Sequence, residues 1–242
     1  MSIDIDYFLS IQNSVGFDTE RDVRVAEEKR NIAWELETSI HLEKDAKRNG
    51  MRQRFVITQT KESNKCNIIA FPDEELYAGD YIECFNQTWL VTEVKAVDTF
   101  HLSGTIMLCN FILKFQTNKP YIFERWGILD SGVYSTTIAG DKPVYYPNAQ
   151  YKVYLPLDYE TRQLHIDKRF AVERIVDQNG REIMSTYKFT AFDGVSSSNR
   201  IGDHLLLMKA KSDEYDPLRD NLELMVCDYI SPQSEADNEG WY

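Results

Sequence analysis

The sequence is short of the residues that do chemistry. Among its 242 residues are four histidines and four cysteines, and neither type is clustered. His41, His101, His165 and His204 show no H-E-x-x-H or H-x-H spacing. Cys66, Cys84, Cys109 and Cys227 form no C-x-x-C pair and have no histidine at a ligand distance along the chain. Nothing in that pattern builds a metal site. The absence of G-x-S-x-G, a Walker loop and a dinucleotide fingerprint removes the commoner hydrolase and nucleotide-binding classes, so no cofactor and no catalytic residue is expected. Basic residues are scarce as well: 27 Lys and Arg face 39 Asp and Glu, a formal net charge of −12. That balance opposes long-range attraction to nucleic acid or to an anionic membrane. No apolar run is long enough to cross a bilayer, and Met1–Ser10 is acidic without the apolar segment of a signal peptide. The expectation is a protein made in the cytoplasm, its cysteines free thiols that behave as small buried hydrophobes.

What the chain has is strand-forming sequence. Hydrophobic residues make up 43% and aromatics 12%, enough to bury a core, and rings of this number suit pleated sheets. The fold expected is mainly β, with an N-terminal helical segment, a small β-barrel and a second antiparallel β-sandwich lobe. In residue numbers these are 1–50, 51–118 and 119–230, followed by an acidic tail, 231–242. The helix is placed over 19–33, where Val25, Lys29, Ile32, Ala33, Leu36 and Ile40 step by three or four. From Trp34 to Leu42 the sequence also alternates with period two, so helix and strand both fit there. Strands follow at Arg54–Thr60 and Cys66–Phe71, and Thr105–Phe115 reads as one strand buried on both faces. Asn118-Lys119-Pro120 marks the domain boundary. Beyond it lie a Gly/Ser/Thr-rich stretch at Ser131–Gly140, strands at Tyr151–Leu155 and Phe170–Val176, and an Asn179-Gly180 hairpin turn. Further strands fall at Arg181–Ala191, Leu205–Ala210 and Leu222–Cys227.

Gly79-Asp80 opens an apolar arm, Asn86-Gln87 sits at a turn, and Trp89-Leu90-Val91 begins the return arm. This Gly-Asp, strand, turn, aromatic, strand unit resembles the small β-barrel of head-tail joining, or head-closure, proteins of tailed bacteriophages, over roughly Arg54 to Gln116. The resemblance implies a virion structural protein of the neck, a homo-oligomeric ring between portal and tail through which DNA passes without sequence-specific binding. Its partners would be other copies of itself and the portal, adaptor and tail proteins. Gly79, Asp80, Trp89 and Val91 match the family pattern, and their role there is structural. The helical segment and the whole second lobe depart from the usual single barrel of that family.

Local features suggest further contacts. Lys44, Lys47, Arg48, Arg52 and Arg54 form a basic cluster; its surface charge balances nearby acids, or Arg48 and Arg52 touch an acidic partner. Trp241 and Tyr242 end the acidic tail as possible docking rings. An alternative class is a monomeric β-sandwich module that binds glycans, with Trp126 and Tyr145-Tyr146-Pro147 as stacking platforms, or a tail or baseplate part. A third is a metal-dependent nuclease with Asp73, Glu93 and Lys95 in the order of a PD-(D/E)-x-K site. Acidic loop clusters such as Asp213, Glu214 and Asp216 read as solvated surface rather than as Ca²⁺ ligands.

Overall fold

An 18-residue helix, α1, spans Glu20–Glu37, with Glu20 and Asp22 in its first turn, where carboxylates favour the helix dipole. The structure, a computed structural model, describes residues 20–96, 100–117, 121–139, 142–192 and 204–231, and for 96, 131–139 and 142–150 the backbone alone. Val25, Lys29, Ile32, Ala33 and Leu36 form a half-buried stripe, yet no residue of the helix is fully buried. The helix runs four residues beyond the 19–33 expected and settles the ambiguity at Trp34 in favour of helix. Thr38 Oγ1 donates to Trp34 O at 3.0 Å at its end. Ile40, past the last turn, has lost the stripe and is 93% exposed.

The chain then enters an eight-stranded antiparallel sheet. Its strands are β1 (Leu42–Glu43), β2 (Lys47–Arg48), β3 (Met51–Arg52), β4 (Phe55–Gln59), β5 (Lys65–Ala70), β6 (Tyr81–Cys84), β7 (Gln87–Ala96) and β8 (Leu102–Leu108), in the order β1-β4-β5-β8-β7-β6-β2-β3. The two edges, β1 and β3, are only two residues long and belong to one short stretch of chain. Gln53 N donates to Ala46 O at 2.9 Å across it, and Ala46 is fully buried, so the sheet is a nearly closed barrel. Alternation fills it: on β5, Cys66, Ile68 and Ala70 are buried while Asn67 is exposed.

The second lobe holds β9 (Phe111–Gln116), β10 (Ile122–Ala139), β11 (Lys142–Pro156), β12 (Arg169–Val176), β13 (Glu182–Phe192) and β14 (Leu205–Asp213). They form a six-stranded antiparallel sheet, ordered β12-β13-β14-β11-β10-β9. It is curled into a half-barrel whose outer strands meet, with the Phe111 and Phe170 rings 6.0 Å apart. The opposed walls of this one sheet enclose Leu113, Phe115, Val153, Leu155, Phe170, Phe189 and Met208, where the sequence suggested two stacked layers.

Four local expectations are corrected. The apolar run Thr105–Phe115 is two strands in different sheets. Asn110 breaks it, because its side chain joins the second lobe, donating to Leu129 O at 2.9 Å and accepting from Leu129 N at 2.8 Å. β9 therefore lies outside the barrel, although its residues are as apolar as a barrel strand's. Second, the reversal between β6 and β7 falls at Phe85-Asn86, both with positive φ (54° and 57°), the geometry of a two-residue primed turn, one residue earlier than expected. Third, Ser131–Ala139 belongs to β10. Fourth, Leu222–Cys227 is not a strand but a tight loop closed by an Asn221–Val226 bridge. Cys227 of that loop packs with Ala171 and Met184, and Leu222 and Met225 lie against them.

Candidate functional site

Gly79 and Asp80 lie where the two lobes meet. Asp80 is 5% exposed and its carboxylate is fully committed. Arg48 Nε donates to Oδ2 at 2.7 Å, Asn49 Nδ2 to Oδ1 at 2.7 Å and Tyr77 N to Oδ2 at 2.9 Å. Asn49 also takes part in the sheet edge, its Oδ1 accepting from Tyr81 N at 2.9 Å. Asp80 thus fastens the β2–β3 turn to the start of β6, which is why the chain can close the barrel there. Gly79, at φ +95°, sits against the backbone of His204, in the other lobe, so closely that a Cβ would stand 1.9 Å from His204 O. Only glycine satisfies both the positive φ and the close approach.

Neighbouring groups complete the joint. Tyr81 Oη donates to Trp126 O at 2.6 Å, and burial pushes the Tyr81 phenol well above its ordinary range. Arg125 Nε donates to Asp158 Oδ2 at 2.5 Å and Nη2 to Glu160 Oε2 at 2.9 Å. Ile128 and Leu205 of the second lobe are buried in the barrel's core cluster, and Tyr154 packs against it. A groove of about 450 Å³ runs along this seam, between Arg48, Tyr77, Asp80 and Tyr81 on one side and Leu157, Asp158 and His204 on the other. Arg48 is paired with Asp80 inside it, and Asp158 with Arg125 outside it, so the groove offers a ligand little unmet charge.

The other two motif residues are core. Trp89 is 4% exposed and Val91 is fully buried. The Trp89 Nε1–H finds no acceptor among the described residues, so this side chain contributes ring area rather than a polar contact. Trp89-Leu90-Val91 are buried in succession, which requires both faces of β7 to be covered, one by the barrel interior and the other by the second lobe.

Comparison with protein-family models, curated proteins and solved structures found no match to this chain. The functional reading therefore stands on its own residues.

The basic cluster is tied down internally. Arg48 is 16% exposed, lies 3.7 Å from Glu75 Oε2 as well as on Asp80, and its guanidinium stands 5.3 Å from the centre of the Tyr77 ring. Lys47 meets Glu83 at 3.3 Å, Arg54 meets Glu37 at 2.8 Å, and Arg52, 72% exposed, pairs with Asp45. Of the two candidate contact residues, Arg52 is presented to solvent and Arg48 is not. Trp241 and Tyr242 lie outside the described residues. The candidate nuclease set is not assembled into one cluster: Asp73 pairs with Lys29, and Lys95 with Glu93 at 2.9 Å. Among the described residues no group of three or more His, Cys, Asp or Glu is arranged to hold a metal ion.

No motif or spacing in the sequence marks the Arg169 network. Arg169 Nε donates to Asp213 Oδ2 at 2.7 Å, Nη1 to Asp220 Oδ1 at 2.8 Å, and Nη2 to Asp220 Oδ2 at 3.0 Å and to Glu214 O. Asp220 in turn accepts from Asp216 N at 2.9 Å and Asp228 N at 3.1 Å. This network holds the segment after β14 against the sheet, and it employs Asp213, one of the acids read from sequence as solvated.

Two predictions arise here. Burial pushes the Cys84, Cys109 and Cys227 thiols up to about 12 and raises that of Cys66. Thiolates are the reactive form, so thiol titration of the native protein at pH 8 should find almost none of the four reacting within minutes and all four reacting in denaturant. A fast native thiol would contradict the packing. The second concerns acid. Although partial burial works against ionisation, hydrogen bonds from Thr161 and Arg125 hold the Asp158 carboxyl below its ordinary 3.8. A depressed folded pKa adds stability at pH above the unfolded value, and that contribution disappears as pH falls through the folded value. Asp158→Asn should therefore be less stable than wild type at pH 6, and the gap should close below pH 3.8. Thermal melts at the two pH values check this, and a constant gap would count against the Asp158 link.

Proposed function

We propose that this chain is a structural subunit of a tailed-phage virion, assembling as a homo-oligomeric ring in the neck between the portal and the tail. The observation that carries the reading is the use made of the Gly79-Asp80 unit. Its strands close a small barrel, its Asp80 is wholly engaged in building that barrel, and Gly79 clamps a second lobe onto it. A scaffold that commits its buried charges to holding two lobes in register is suited to bearing load between neighbours.

The charge supports the same role. A ring around a DNA channel must let phosphate slide, and a surface of net charge −12 does not trap it, whereas a lysine- or arginine-lined wall would. Its partners in this reading are further copies of itself and the portal, adaptor and tail proteins, and its place is the virion neck.

Light scattering over a rising concentration series, alone and with portal and tail proteins of the same virion, tests the proposal. The expected result is a step from the 28.2 kDa chain to a discrete multiple. A single chain at every concentration and with every partner overturns it.

A further inference from the structure

A ring needs contacts between copies, and the barrel offers poor ones, because its edge strands β1 and β3 are two residues each. The second lobe has a better candidate. β10 and β11 far outrun their neighbours. The last rung of β10 with β9 is Gly127–Phe111 and that of β11 with β14 is Gln150–Lys211. β10 has no partner but β11 from Val133 to Ala139, and from Ser135–Tyr146 to Ala139–Lys142 the two strands pair only with each other among the described residues. Two register shifts, between Asp130 and Val133 and between Val133 and Ser135, fall where the ribbon leaves the sheet, as bulges that redirect a strand do. Seven residues of strand extend it by roughly 23 Å.

A two-stranded ribbon is at best marginally stable in water, and both its edges carry unpaired backbone groups. The edges of this one differ. β11 contains Pro143 and Pro147, which cannot donate to a further strand. β10 has no proline from Val133 to Ala139, and none of the charges that usually guard an edge. Over 131–150 the only charged residues in the sequence are Asp141 and Lys142.

We infer that the β10 edge of this ribbon is the contact between copies of the chain, taking up an extended segment of a neighbouring copy by strand addition. Charge selects the occupant. Copies of net charge −12 repel one another, and a charge-neutral stretch that binds through its backbone is where they can meet. A partner of opposite charge would be recognised through charged side chains, and the β10 strand of the ribbon, Val133–Ala139, has none. The inference rests on the ring reading above and names the contact that makes it.

Hydrogen exchange of the full chain across the same concentration series, beside a variant with 134–147 replaced by a short Asn-Gly turn, tests it. In wild type the β10 amides from Val133 to Ala139 should gain at least tenfold protection as the mass rises, while amides of β5 stay unchanged. The trimmed variant should keep wild-type β5 protection and remain a single chain. Should wild type assemble without protecting β10, or the trimmed variant assemble equally well, the ribbon contact is wrong and the ring stands. If no assembly forms under any condition, both fail. If the trimmed variant loses β5 protection, exchange in wild type alone decides.

Discussion

Gly79→Ala should destabilise the protein by about 3 kcal/mol or more, the sum of a positive-φ penalty and the overpacking of a rigid contact. The new Cβ would stand 1.9 Å from His204 O and 2.3 Å from His204 C, and both are backbone atoms that no rotamer change can move aside. The lobes must separate or β6 must shift. For a chain of this size the loss corresponds to a fall in melting temperature of roughly 10 °C. Gly50→Ala is the control. Its φ is similar, +82°, but nothing lies within 4 Å of the added atom, so only the conformational penalty of about 1 kcal/mol remains. Equal losses in the two variants would mean that the approach of Gly79 to the second lobe is not what the position requires.

The second large effect is expected at Arg169. Its side chain is 8% exposed and that of Asp220 is fully buried. Removing the cation by Arg169→Met strands a buried carboxylate, which costs roughly 3 to 5 kcal/mol. The damage should be local first. Amides of 214–230 should exchange faster while those of β4 and β5 keep their protection, because the network ties that segment to the sheet and touches nothing in the barrel. Adding Asp220→Asn in the same chain removes the stranded charge but leaves one acceptor oxygen for the two amides, of Asp216 and Asp228, that the carboxylate serves with separate oxygens, so it should recover part of the loss and not all of it. If the single variant is as stable as wild type, the network is a surface pairing of little consequence.

The legible parts of this fold are those that local chemistry decides. β5 alternates and is a strand with one buried face. Asn179-Gly180 turns a hairpin where its positive φ is tolerated, with Gly180 at +77°. The first three turns of α1 follow the stripe from Val25. The parts that escaped depend on partners distant in sequence. Asn110 looks like one polar residue in an apolar run, and only Leu129, on another strand, reveals that it ends one sheet and starts the next. Trp34–Glu37 has both periodicities, and the packed stripe decides between them. Leu222–Cys227 is apolar because it caps the face made by Ala171 and Met184, a task that a loop performs as well as a strand. At the junction, Gly79 and Asp80 stood out as a motif, but its purpose did not. Nothing near either residue in the sequence points to His204 or Arg48. The Arg169 network was invisible for the same reason, since its members span Arg169 to Asp228 and no spacing rule links them.

The most direct test of the central claim is negative-stain microscopy of the concentrated full-length protein, classified by particle shape. The account predicts closed rings of uniform diameter with a stain-filled central channel, built from two-lobed subunits. A field of separate two-lobed particles, unchanged when the portal and tail proteins are added, would contradict it.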